Sequence, residues 1–148
     1  MDKLSEAIVL ATQAHAGQVD KGGAPYILHP LRVMLACKTE DERIAAVLHD
    51  VVEDCGFWIG DIASQFGDTI AEAVDALTRA CGETYPAFIA RCAANPIARV
   101  VKLADLADNM DVTRLGREPT AEDNRRHWRY AEARNVLMNA TTGATNER

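Results

Sequence analysis

Aromatic side chains are scarce: two Trp, three Tyr and three Phe make up 5% of the sequence. Strands draw heavily on aromatic and β-branched residues in alternation. No stretch alternates convincingly, and only Ala98–Leu103 is β-branched enough to read either way. The composition therefore suits close-packed helices better than a β-sandwich. No apolar run approaches membrane-spanning length, so no transmembrane segment is expected. The four cysteines, Cys37, Cys55, Cys81 and Cys92, form no C-x-x-C pair, which argues against a structural zinc site. Positive charge is in deficit, with 16 Lys and Arg against 22 Asp and Glu and a net charge of −6. Such a chain has no overall field to draw nucleic acid or an anionic membrane, and neither is expected as a partner. A polyanion could bind only through a local basic cluster and a metal. The opening Met-Asp-Lys-Leu-Ser-Glu is too acidic for a secretion or transit signal, so reduced thiols and a cytoplasmic location are expected.

What is present is one domain's worth of chain. Its 148 residues are 48% apolar, enough to bury a core without help from metal or disulfide. The spacing predicts an all-α, compact helical bundle over 1–138, followed by a flexible polar tail over 139–148. Helices are expected over 3–15, from near Pro30, over 40–54, 57–66, 68–80, 83–94, 97–110 and 121–138. Thr39 and Glu42 suit a capping box, and Thr120 suits an N-cap. Gly17 to Tyr26, rich in glycine, reads as a long loop of the kind that carries function.

The clearest chemical signal is a set of polar residues inside an apolar helix. Residues 45–54 read Ala-Ala-Val-Leu-His-Asp-Val-Val-Glu-Asp. On a continuous helix His49 shares a face with Glu53, and Asp50 with Asp54. Burying this stripe without partners would cost several kcal/mol, and a cation would neutralise it. A lone His-Asp dipeptide usually means nothing, so the company it keeps decides. His29 stands before Pro30 at a loop-to-helix junction, and Asp105 lies on the apolar helix 100–109, where Lys102 and Asn109 share its face. A plain surface pair between Lys102 and Asp105 is the bland alternative, and Asp108, the rival for the metal role, is expected to face solvent or to stand behind the ligands. Together His29, His49, Asp50 and Asp105 give two nitrogen and two oxygen ligands, which suit manganese, iron or zinc better than calcium. Glu53 and Asp54, one turn beyond, are the natural general acid and base.

In order along the chain stand His15-Ala-Gly-Gln18, Lys21-Gly, Pro25-Tyr26, His29-Pro30, Leu48-His49-Asp50-Val-Val-Glu53-Asp54 and Lys102-Leu-Ala-Asp105-Leu-Ala-Asp-Asn109. This pattern, from about residue 5 to 115, resembles the hydrolase domain of the RelA/SpoT homologues and the small alarmone hydrolases of the HD superfamily. The resemblance implies a helical bundle around one divalent metal ion, Mn²⁺, and a role in the stringent response. It implies hydrolysis of the 3′-pyrophosphate of an alarmone such as (p)ppGpp, a phosphorylated nucleotide. His29, His49, Asp50 and Asp105 match its metal ligands, and Glu53 and Asp54 match its water-activating pair. Lys21 matches a basic residue that holds the nucleotide, Asn109 one that lines the site, and Lys102 is placed by motif to add charge. Two positions depart from the pattern. Asp20 and Asp111 stand where relatives often carry arginine, which leaves guanosine and adenosine alarmones both open. Another HD-type nucleotidase, or a non-catalytic nucleotide-binding module, is the alternative, and a homo-oligomer is open. His15 is expected to order its loop, His127 with Trp128 and Tyr130 to pack, and Arg91, Arg99 and Arg114 to be solvated, though one or two could reach phosphates.

Overall fold

The computed structural model describes residues 1–143. Its helices are α1 (Lys3–Ala14), α2 (Leu28–Ala36), α3 (Glu40–Leu48), α4 (Val51–Cys55), α5 (Ile59–Phe66), α6 (Asp68–Ala76), α7 (Tyr85–Ala94), α8 (Pro96–Asn109) and α9 (Ala121–Gly143), with a 3-10 turn at Val112–Leu115. Among the described residues there is no strand, only one bridge between Val19 and Pro25. The all-α expectation holds, and Ala98–Leu103 is helix within α8.

α3 is the axis of the bundle. Ile44, Ala45, Ala46, Val47 and Leu48 are each at most 1% exposed, because these five successive apolar residues cover every side of the helix's second half and neighbours surround it. It packs against α1, α2, α6 and α8. Two alanines in that run let those neighbours come close, and truncating Leu48 would cost about 2–5 kcal/mol.

Local signals start the helices. Thr39 accepts from Glu42 N at 3.2 Å while Glu42 Oε2 accepts from Thr39 N at 3.1 Å, the expected capping box. Thr120 and Asp123 make the same reciprocal pair at the start of α9. Asn95 caps α8 by accepting from Ile97 N and Ala98 N, and Pro96 occupies the first turn, where its missing N–H is not needed.

Three boundaries differ from the sequence reading by more than two residues. The helix expected over 40–54 is broken at His49–Asp50. His49 Nδ1 reaches the Ala46 carbonyl at 2.6 Å, and the His49 backbone N–H falls back to that same oxygen at 3.4 Å. α4 restarts beyond the break. α6 stops at Ala76, where Arg91 takes the Asp75 and Thr78 carbonyls. α9 runs on to Gly143, past the expected domain end at 138, and the rest of the expected tail, 144–148, lies outside the described residues. Among the described residues no helix is long and apolar enough to cross a membrane.

Candidate metal centre and adjoining cleft

The break between α3 and α4 turns His49 and Asp50 toward α2 and α8. His49 Nε2 stands 3.0 Å from Asp50 Oδ2 and 3.5 Å from Asp105 Oδ1. His29 Nε2, from the first turn of α2, stands 3.0 Å from Asp105 Oδ1 and 3.9 Å from Asp50 Oδ2. Donor atoms of His29, His49 and Asp105, all buried, lie within 4.8 Å of one another. The four residues expected as ligands are thus brought together from three stretches of chain.

The two imidazoles are held alike. Nδ1 of His49 meets the Ala46 carbonyl at 2.6 Å, and Nδ1 of His29 meets Asp108 Oδ2 at 2.6 Å. Both partners are acceptors, so each ring carries its proton on Nδ1 and directs Nε2 at carboxylates. Nε2 of His49 is buried and has no hydrogen-bond partner, for Asp50 is near but poorly aligned. A neutral ring would then point a lone pair at oxygen anions. Burial alone would depress His49, but the Asp50 charge, with Asp105, holds its pKa well above the ordinary imidazole value. For His29 too, burial depresses and the bond to Asp105 outweighs it. Burial would raise both carboxyls, yet Lys102 and the imidazoles hold Asp105 well below its usual range, and His49 lowers Asp50. Two imidazole nitrogens and two carboxylates, each imidazole with its other nitrogen engaged, form a donor set that fits a divalent cation.

Glu53 and Asp54 lie exposed on α4, near enough to Asp50 to feel its charge. Burial and then the Asp50 charge push both carboxyls up. Beside the cluster opens a cleft of about 440 Å³, lined among others by Lys21, His29, Asn109, Arg114, Arg126 and Tyr130. Lys21 is exposed there, and partial burial with the nearby Arg126 lowers its pKa. Asn109 donates to Asp105 Oδ1 at 3.0 Å. Lys102 is not brought to the cleft. Its ammonium donates to Asp105 Oδ2 at 2.7 Å and sits 5.0 Å over the Phe88 ring.

The two acids at departing positions have local work. Asp20 Oδ1 accepts from Gly22 N and Ala24 N, both at 2.9 Å, closing the loop on itself. Asp111 accepts from Thr113 N and from Arg114 Nη1, at 3.1 and 3.0 Å. His15 orders its loop as expected, Nδ1 meeting Gln18 Oε1 at 2.8 Å. Arg91 is bound to Glu83 at 2.6 Å, and Arg114 lines the cleft. His127 is on the cleft wall and Trp128 is 73% exposed, so of the expected packing trio only Tyr130 is partly buried. Arg32 and Arg126 were missed in the sequence, and Tyr26 stood in the motif pattern without a role. Arg32 carried a usable signal, standing one helical turn after His29.

Residues 7–137 match the family model described as HD domain, and the chain belongs to this family of helical proteins. Within it, the chain is 37% identical over 125 residues to a probable GTP pyrophosphokinase of Mycobacterium leprae, covering 76% of this chain and 16% of that protein. It is 31% identical over 125 residues to a guanosine-3′,5′-bis(diphosphate) 3′-pyrophosphohydrolase of Vibrio cholerae, covering 74% of this chain and 18% of that protein. The chain thus spans less than a fifth of the length of these curated relatives. A solved metazoan orthologue of SpoT, described as hydrolysing ppGpp with a role in starvation responses, superposes with a TM-score of 0.77 at 25% identity, covering 93% of this chain and 85% of that one.

Proposed function

We propose that this chain is a metal-dependent 3′-pyrophosphohydrolase of a guanosine or adenosine alarmone. The observation that carries this reading is the convergence of His29, His49, Asp50 and Asp105 beside Glu53 and Asp54, next to a cleft with basic side chains. The relatives named as pyrophosphohydrolases supply the substrate class. His29, His49, Asp50 and Asp105 would hold one divalent ion; mixed imidazole and carboxylate donors suit manganese, iron or zinc better than calcium, and the likeness to alarmone hydrolases favours Mn²⁺. When bound, that ion polarises a phosphoryl oxygen and acidifies a water molecule. A cytoplasmic location goes with a nucleotide substrate and free thiols.

The chain's own residues divide the remaining work. Lys21 and Asn109 hold the nucleotide at the mouth of the cleft. Of Glu53 and Asp54, one carboxylate takes a proton from the attacking water. The other gives a proton to the departing 3′-oxygen, and the upward shift of both carboxyls favours a protonated acid in the pair. The bond from phosphorus to the 3′-oxygen breaks, a new bond to the water oxygen forms, and pyrophosphate leaves. Lys102 keeps Asp105 ionised and aimed.

The test offers purified, Mn²⁺-loaded protein guanosine and adenosine alarmones and common nucleotides, with the products identified. Pyrophosphate from an alarmone is the expected result. Orthophosphate from a nucleoside monophosphate would make it a different HD nucleotidase. Binding with no turnover of any substrate would make it a non-catalytic module.

A further inference from the structure

Asp108 joins the cluster to the cleft. Its Oδ2 lies 2.6 Å from His29 Nδ1. Arg32 grips the same carboxylate with two prongs, Nε to Oδ1 at 2.7 Å and Nη2 to Oδ2 at 3.1 Å. Arg114 adds Nη2 to Oδ2 at 3.2 Å and to the Asp108 backbone carbonyl at 2.8 Å. The carboxylate side chain is only 11% exposed. Three elements, α2, α8 and the 3-10 turn, are therefore tied through one residue.

A neutral imidazole carries its proton on whichever nitrogen meets the better acceptor. For His49 that acceptor is a backbone carbonyl, fixed by the helix itself. For His29 it is a side chain, which could swing or go missing. A carboxylate held by two guanidinium groups cannot swing far, and it stays ionised beside them. We propose that Asp108 is a positioning residue for the metal centre. It sets the tautomer and ring orientation of His29, and Arg32 and Arg114 clamp it from the cleft side. The proposal rests on the reading of His29 as a ligand. It also gives Arg32 and Arg114 a role distinct from nucleotide contact, although both line the cleft.

The experiment titrates Mn²⁺ into metal-free wild type, Asp108→Ala, Asp108→Asn and the Arg32→Gln/Arg114→Gln double variant, by calorimetry. Losing such an outer partner of a ligating histidine weakens metal binding about 10–100-fold, which is the fall expected for Asp108→Ala. Asp108→Asn keeps an oxygen to accept from Nδ1 and should recover most of that affinity. Its melting temperature without metal should nonetheless fall with that of Asp108→Ala, since both lose the arginine pairs. The double variant should bind several-fold more weakly. Wild-type affinity in Asp108→Ala, or equal losses in Ala and Asn, would overturn the proposal. If Asp108→Ala does not fold, the double variant decides, and unchanged affinity there overturns it. Wild type that takes up no Mn²⁺ would instead sink the metal-centre reading, and this inference with it.

Discussion

The hydroxyl of Tyr26 donates to Oδ2 of Asp50 at 2.5 Å, and that same oxygen stands 3.0 Å from Nε2 of His49. Burial and then the Asp50 charge push the phenol well above its ordinary pKa, which keeps the proton on the hydroxyl that donates. Tyr26 leaves the loop just before α2, and this bond ties the Asp50 carboxylate to that loop.

Tyr26→Phe should therefore act on metal affinity and on stability together. A hydrogen bond to a charged group contributes about 1.5–3 kcal/mol. The metal-free variant should unfold more easily by about that amount, and Mn²⁺ should bind more weakly than to wild type. Denaturant unfolding and a Mn²⁺ titration check this. Wild-type values in both would mean that the bond is not made in solution.

Gly22 carries a second prediction. A Cβ at this position would stand 2.3 Å from the Arg114 carbonyl oxygen, a backbone atom that cannot turn aside. The loop holding Lys21 and the 3-10 turn holding Arg114 touch here, and both line the cleft. Gly22→Ala should cost about 1–3 kcal/mol, the usual range for forced overpacking. It should raise KM because the cleft wall shifts, and, since Arg114 also grips Asp108, it should weaken Mn²⁺ binding by less than Asp108→Ala does. An unchanged unfolding midpoint would show that the loop has room to move.

The sequence told more about residue types than about their directions. The caps at Thr39 and Thr120 were legible because each acts over three residues, and the apolar run Ile44–Leu48 marked the central helix. The break at His49–Asp50 was not legible, since both residues also suit a helix and the competing bond to Ala46 needs a side-chain conformation. His49 and Asp50 therefore reach the cluster by a turn in the chain, not by a shared helical face. Spacing on α8 placed Lys102 on the face of Asp105 correctly. It could not say that the ammonium is used up there, because that depends on Phe88 of α7. Asp20 and Asp111 looked like bare negative charges, but each is satisfied by backbone N–H groups of its own turn.

Glu53 and Asp54 should separate chemistry from metal binding. Both are exposed on α4, outside the buried cluster. Glu53→Gln and Asp54→Asn should each retain Mn²⁺ near wild-type affinity and slow turnover by roughly a hundredfold or more, the usual cost of a lost general acid or base. Single-turnover kinetics with a metal assay on the same samples decides. A variant that loses metal and activity together would move that residue into the ligand set.

The last prediction concerns pH, and its sign follows from the cluster. In the metal-free protein both His29 and His49 have pKa values raised above 6.5. A raised imidazole pKa stabilises the fold fully below the unfolded value, and that contribution fades as pH climbs through the folded value. Asp50 and Asp105 are lowered below 3.8, so their contribution fades only as pH falls into the acid range. Metal-free protein should thus be most stable between about pH 4 and 6.5 as far as these groups decide, and lose stability above that. Metal ligation needs neutral imidazoles, so Mn²⁺ affinity should rise with pH over the same upper window. Melting temperatures at pH 6, 7 and 8, with chelator and with saturating Mn²⁺, test both halves. The chelated curve should fall, and the gap between the two should widen. Parallel curves would mean that the imidazoles do not exchange protons for metal, and His29 and His49 would have to be given up as ligands.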